Sequence, residues 1–93
     1  MANFVICLEI RERSRDYTRL RQLLEKMAAA EALDSVWFAS LNGRAEQLKD
    51  ALRTVIYPGD SFVVVRLQDN GASDWAAYHD PREGLQWLRA HYP

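Results

Sequence analysis

A carboxylate at the end of an apolar segment is the group in this sequence best placed to do chemistry. Glu9 stands near the end of residues 3–10, in which every even position is large and apolar. An arginine-dense stretch follows at once, and it contains Arg11, Arg13, Arg15, Arg19 and Arg21. An acid beside guanidinium groups can hold a divalent cation over a phosphodiester, or it can form structural ion pairs.

These two interpretations of Glu9 predict different partners. As a metal ligand, Glu9 is paired with its own copy across a dimer axis, so that two carboxylates hold a cation over a scissile phosphate. As a structural residue, Glu9 pairs with Arg66, which interrupts another apolar strand, or with Arg11 or Arg13. Structural ion pairs are commoner than catalytic ones, so the residue pattern alone favours the second interpretation.

A line of polar side chains begins within the arginine-dense stretch and continues beyond it. We call this line the basic ridge, and it consists of Arg15, Arg19, Gln22 and Lys26. The intervals of four, three and four residues put these side chains on one side of a helix. The ridge is either an ordinary solvated helix face or, together with Arg11 and Arg13, a surface that contacts nucleic acid.

Composition limits the possible functions. The 93 residues are enough for one domain, and the net charge of -1 weighs against strong, sequence-independent binding of nucleic acid. No apolar run approaches the roughly 18 residues that a membrane span needs, so we expect no membrane partner. A single cysteine and an N-terminal region without a secretory signal pattern favour a cytoplasmic protein without disulfides.

The other reactive side chains give weaker signals. His79 and His91 have no cysteine or acid at a spacing typical of a metal site. Cys7 lies between apolar neighbours in a predicted strand, where a thiol is usually a small buried hydrophobe. The tryptophans and tyrosines near the C-terminus favour a core or an interface over a surface on which bases stack.

The order of predicted elements indicates how these residues are positioned. Strands are predicted over 3–10 and 62–67, and helices over 16–29 and 44–56. Residues 33–40 form one bent strand or a very tight hairpin, residues 75–78 form an edge strand, and Pro81 opens a last helix.

This order predicts an α+β protein with a ferredoxin-like sandwich as its single domain, residues 1–93. Its antiparallel sheet carries two helices on one face. The core covers about residues 3–78, and a C-terminal extension with a helix covers about 79–93. The other face of the sheet needs a cover, and a homodimer formed through that face or through the C-terminal segment would provide it.

Several segments together resemble a known family. The first strand ends in an acid at residues 8–10, and the first helix bears arginines. A second strand has Ser-Val before an aromatic residue at 34–38, and the last strand begins with Asp-Ser at 60–65. Over roughly residues 3–78, this pattern resembles the small CRISPR-associated endoribonucleases and their relative, virulence-associated protein D.

The resemblance implies a homodimeric ferredoxin-like protein that acts on or near nucleic acid. Such a protein either cleaves phosphodiester bonds with Mg²⁺ or Mn²⁺, or serves as a non-catalytic scaffold. The family's candidate metal ligand is an aspartate at the end of the first strand, and this chain has Glu9 there. The extra methylene moves the carboxylate by roughly an ångström, which disturbs a geometry that Mg²⁺ holds strictly. The alternative is a non-catalytic dimerisation or interaction module of the same fold.

Overall fold

The computed structural model describes residues 1–68, 74–78 and 82–93, which form four strands and three helices. The strands are β1 (Ala2–Glu9), β2 (Ala30–Leu33), β3 (Val36–Leu41) and β4 (Ser61–Leu67). The helices are α1 (Thr18–Lys26), α2 (Ala45–Arg53) and α3 (Glu83–His91). No helix in this part of the chain combines the length and apolar character needed to cross a membrane.

All four strands join one antiparallel sheet in the order β2-β3-β1-β4. The inner position of β1 is seen in its register, in which Val5 lies opposite Phe38 of β3 and opposite Val65 of β4. Residues 33–40 belong to the hairpin of β2 and β3, whose turn consists of Asp34 and Ser35, rather than to one bent strand. The α+β class is confirmed, and the strand order is compatible with a ferredoxin-like sandwich.

The even positions of β1 form the centre of the hydrophobic core. Their partners come from α1, α2 and β3, and the buried cluster includes Phe4, Ile6, Leu8, Leu20, Leu24, Ala39, Leu48 and Leu52. Side chains alternate between the faces of a strand, so one face of β1 receives both helices. Burying each large apolar side chain stabilises the fold by about 1.5–3 kcal/mol, which makes this face the principal source of stability.

Helix α3 packs on the opposite face of the sheet, over β2 and β3. The indole of Trp87 stacks on Phe38 with 4.9 Å between ring centroids. At the start of the helix the backbone of Gly84 lies very close to β2. A Cβ atom added to Gly84 would be only 2.5 Å from the Cβ of Ala32. The predicted C-terminal helix is therefore present, and it covers part of the face that the sequence analysis left open.

The described residues correct three of the sequence-based expectations. Cys7 is exposed rather than buried, because it lies on the face of β1 that α3 leaves uncovered. Residues 75–78 form no strand. The first helix is shorter than predicted, since it ends at Lys26, and Ala28 takes a positive φ of 54° on the way into β2. Pro81 and His79 lie outside the described residues.

Candidate functional site

Glu9 is exposed on the same face of the sheet as Cys7. It is the last residue of β1 and lies opposite Ser61, the first residue of β4. The odd positions of β1 and their partners on β4 line this face, with Val5 opposite Val65 and Cys7 opposite Val63. We call the apolar residues Val5, Cys7, Val63 and Val65 the open patch, in which Val5 is half-buried and the other three are exposed. Glu9 therefore lies at the edge of an apolar surface.

The structure does not bring Glu9 and Arg66 together. Arg66 lies opposite Phe4, whereas Glu9 is five residues further along β1. At about 3.3 Å per residue this separates the two positions by roughly 17 Å. The alternation of side chains also puts Arg66 on the helix-bearing face and Glu9 on the other. The expected ion pair between Glu9 and Arg66 is therefore not formed.

The carboxylate of Glu9 has no structural ion pair within residues 1–68, 74–78 and 82–93. In the same part of the chain, no group of three or more His, Cys, Asp or Glu side chains is arranged to hold a metal ion. The described part of one protomer thus offers no ready-made set of metal ligands around Glu9. A cation bound there would need its further ligands from a second copy, a substrate or water.

The segment after β1 is anchored by a carboxylate that the sequence analysis did not single out. One oxygen of Asp60 accepts a hydrogen bond from the backbone N–H of Arg11 at 3.0 Å. The other accepts from the hydroxyl of Tyr17 at 2.6 Å and from the backbone N–H of Tyr57 at 3.1 Å. Asp60 therefore ties the segment between β1 and α1 to the turn before β4.

Aromatic contacts strengthen this anchor. The rings of Tyr17 and Tyr57 meet edge to face with 5.2 Å between centroids, and the Tyr57 hydroxyl donates to the backbone carbonyl of Asp16 at 2.8 Å. The guanidinium of Arg15 lies 4.9 Å from the centre of the Tyr57 ring and pairs with Glu12 at 3.0 Å. We call Asp60, Tyr17, Tyr57 and Arg15 the Asp60 cluster.

Contacts within the Asp60 cluster shift the pKa values of Asp60 and Tyr17 in opposite directions. Burial raises the pKa of Asp60, but the hydrogen bonds from Tyr17 and from the backbone amides of Arg11 and Tyr57 outweigh burial and hold that pKa below its usual value. Burial and the hydrogen bond to Asp60 raise the pKa of Tyr17 to about 12. A charged carboxylate and a neutral phenol are thus the stable partners at neutral pH.

The predicted basic residues are all exposed, but they do not form one compact patch. Arg11 and Arg13 follow Glu9 directly and lie at its end of the sheet. Arg15 lies outside α1 and is engaged in the Asp60 cluster. Arg19 and Lys26 lie seven residues apart on α1, roughly 10 Å along its axis. The basic ridge therefore extends along α1, away from the segment that joins this helix to Glu9.

Comparison with known proteins adds no assignment. No protein-family profile matches the chain, and no curated protein or solved structure matches it significantly. The resemblance to the small CRISPR-associated endoribonucleases stays a prediction, as do the metal and the nucleic acid.

We expect Asp60→Asn to lower the free energy of unfolding by about 1–2 kcal/mol, because the amide keeps only one of the two acceptor oxygens. Urea denaturation with a fitted midpoint measures the change. Asp50→Asn is the matched control, since Asp50 is exposed and its nearest cation is Lys49 at 3.9 Å. Equal midpoints for the two variants would contradict the anchoring role of Asp60.

The raised pKa of Tyr17 predicts a loss of stability at high pH. The unfolded phenol ionises near pH 10, whereas the folded one stays neutral until about pH 12. The contribution of this phenol is therefore complete below pH 10 and is lost as the pH rises toward 12. We expect the difference in unfolding free energy between wild type and Tyr17→Phe to shrink across that interval. A difference that stays constant across that interval would contradict this role of the Tyr17 phenol.

Proposed function

We propose that this chain is a homodimeric protein of ferredoxin-like fold that binds nucleic acid and pairs through the open patch. One observation carries the proposal: the open patch and Glu9 lie on one face of the sheet, and Arg11, whose backbone is bonded to Asp60 just before β4, lies beside them. The strand order β2-β3-β1-β4 with antiparallel neighbours supports the ferredoxin-like assignment.

The apolar character of the open patch supports a second copy as its cover. Val63 and Val65 expose 58% and 47% of their surface, and the side chains paired with them are Cys7 and Val5. No charged residue interrupts these four positions. A flat surface of this kind is complementary to itself, as a two-fold symmetric dimer requires. A stable dimer buries about 800 Å² on each partner, so the contact would extend beyond the four residues.

The position of the two-fold axis decides what such a dimer can do. An axis near Glu9 brings the carboxylates of the two protomers together, as a shared cation site requires. An axis near Val65 keeps them apart and leaves a dimerisation module. With an axis near Glu9, the Arg11 side chains of the two protomers flank the contact. The basic charge at this edge is thereby doubled, which supports phosphate binding despite a net charge of -1.

We expect the wild type to sediment as a dimer at micromolar concentration and Val63→Lys to sediment as a monomer, because the ammonium group cannot be buried without a partner. Leu33→Lys is the matched control: Leu33 has the same 58% exposure but lies on β2, at the other edge of the sheet. A wild type that stays monomeric throughout the micromolar range would remove this proposal.

The nucleic-acid part of the proposal predicts a change in salt dependence. Replacing Arg11 and Arg19 with Ala should weaken binding to a single-stranded oligonucleotide, and each lost phosphate contact should reduce the slope of affinity against salt by roughly 0.7. Arg15 is left unchanged because it supports the Asp60 cluster. Arg53→Ala on α2 is the control. Absence of binding by the wild type at low salt would show that the arginines are merely solvated.

Metal-dependent phosphodiester cleavage is a second candidate function, favoured by the exposed carboxylate of Glu9 beside the open patch. Here Glu9→Gln should abolish cleavage of RNA or DNA with Mg²⁺ or Mn²⁺, because the amide removes the charge that holds the cation. The unfolding free energy should not change, since Glu9 has no ion pair to lose among the described residues. Glu9→Asp introduces the side chain found in the family that the sequence resembles, and it should retain or increase activity. Cleavage that persists in Glu9→Gln would exclude this role.

A further inference from the structure

A cleft of about 300 Å³ opens on the helix-bearing side of the sheet, between α1, the segment after β1 and the hairpin of β2 and β3. Its apolar floor is formed by the half-buried Ile10 and Trp37, with the buried Leu20 and Leu24 beneath them. Trp37 lies opposite Ile6 in the sheet, so the cleft is on the face away from the open patch. Sites for small molecules begin at about this volume and are mostly apolar with a few polar groups. The cleft can therefore receive an apolar ligand body.

The rim of this cleft carries charges of both signs, but its acids are already engaged. Glu31 and Asp34 line it, and Arg82, the residue before α3, pairs with both. Its guanidinium nitrogens lie 2.8 Å from Asp34 and 3.8 Å from Glu31. The rim also contains two further cations, Arg13 and Arg21. Whether they already have acidic partners decides which ligand charge the cleft prefers.

Arg13 and Arg21 form no ion pair within the part of the chain that the structure describes. Arg21 acts only at longer range on Asp16, whose pKa is lowered chiefly by its hydrogen bonds with Thr18. A third arginine on the rim, Arg15, is occupied by Glu12. Two guanidinium groups thus remain available above an apolar floor, and each can bind an oxyanion through paired N–H donors.

We propose that this cleft binds a small amphipathic anion, with an apolar body on Ile10, Trp37 and the edge of Leu20 and a carboxylate or other oxyanion bound by Arg13 and Arg21. A cavity of about 150 Å³ holds one benzene ring, so a body of roughly two rings matches the volume. The proposal is independent of the open patch, because the two surfaces lie on opposite faces of the sheet.

Naphthoate and naphthamide form a matched pair of probes, since they share the two-ring body and differ in charge. Titration of isotope-labelled protein should shift the amide signals of Leu20, Ser35 and Trp37 with naphthoate. Naphthamide should bind roughly tenfold more weakly, because it lacks the charge-assisted hydrogen bonds. No shift around the cleft at millimolar naphthoate, or equal affinities for the two probes, would overturn the proposal.

Charge reversal tests the two arginines directly. The double variant Arg13→Glu with Arg21→Glu should raise the dissociation constant for naphthoate at least roughly tenfold. The control is Arg53→Glu with Arg89→Glu, which has the same net charge but changes exposed residues of α2 and α3. All these side chains are exposed, and the amide spectrum itself reports whether each variant is folded. An equal loss of affinity in both double variants would show a general charge effect and reject the site. Val63→Lys should bind naphthoate as the wild type does, which separates this test from that of the dimer.

Discussion

The two faces of β1 impose different constraints on the molecule, and most of its organisation follows from them. The even positions bury Phe4 and Ile6 under α1 and α2 and supply the core. Of the odd positions, Asn3 is buried and bonded to Tyr92, whereas Val5 is half-buried and Cys7 is exposed, because α3 lies over β2 and β3. The open patch therefore exposes the side chains of Val63 and Val65 to water. A small domain stabilised mainly by burial is left with apolar surface that the described part of the protomer does not cover.

The Asp60 cluster holds the segment after β1 in place beside the open patch. The segment between β1 and α1 has no regular structure, and its three arginines, Arg11, Arg13 and Arg15, would be poorly positioned without an anchor. Hydrogen bonds from Arg11 and Tyr57 hold that segment against the start of β4, where Glu9 lies opposite Ser61. The positive charge of Arg11 is consequently kept beside the open patch. Position and charge together support the proposed dimer with a phosphate-binding edge.

The sequence predicted those features that depend on local periodicity. Alternation along β1 identified Phe4 and Ile6 as core residues, and helical spacing identified α1 and α2, although their ends were placed too far out. Features that depend on register could not be predicted. The pairing of Arg66 with Phe4 follows from where β4 begins, and that position separates Arg66 from Glu9. Asp60 was missed because its partners Tyr17 and Arg11 are 43 and 49 residues away in the chain. The exposure of Cys7 depends on which strands α3 covers, and alternation carries no information about that.

The claim that a second copy covers the open patch is tested most directly by the reactivity of Cys7, which is the single cysteine and lies within the patch. The rate of its reaction with a maleimide reagent can be measured in wild type and in Val63→Lys over a range of protein concentrations. The dimer predicts that the wild-type rate constant falls as protein concentration rises, whereas Val63→Lys reacts rapidly throughout. Equal and concentration-independent rate constants for the two proteins would contradict it.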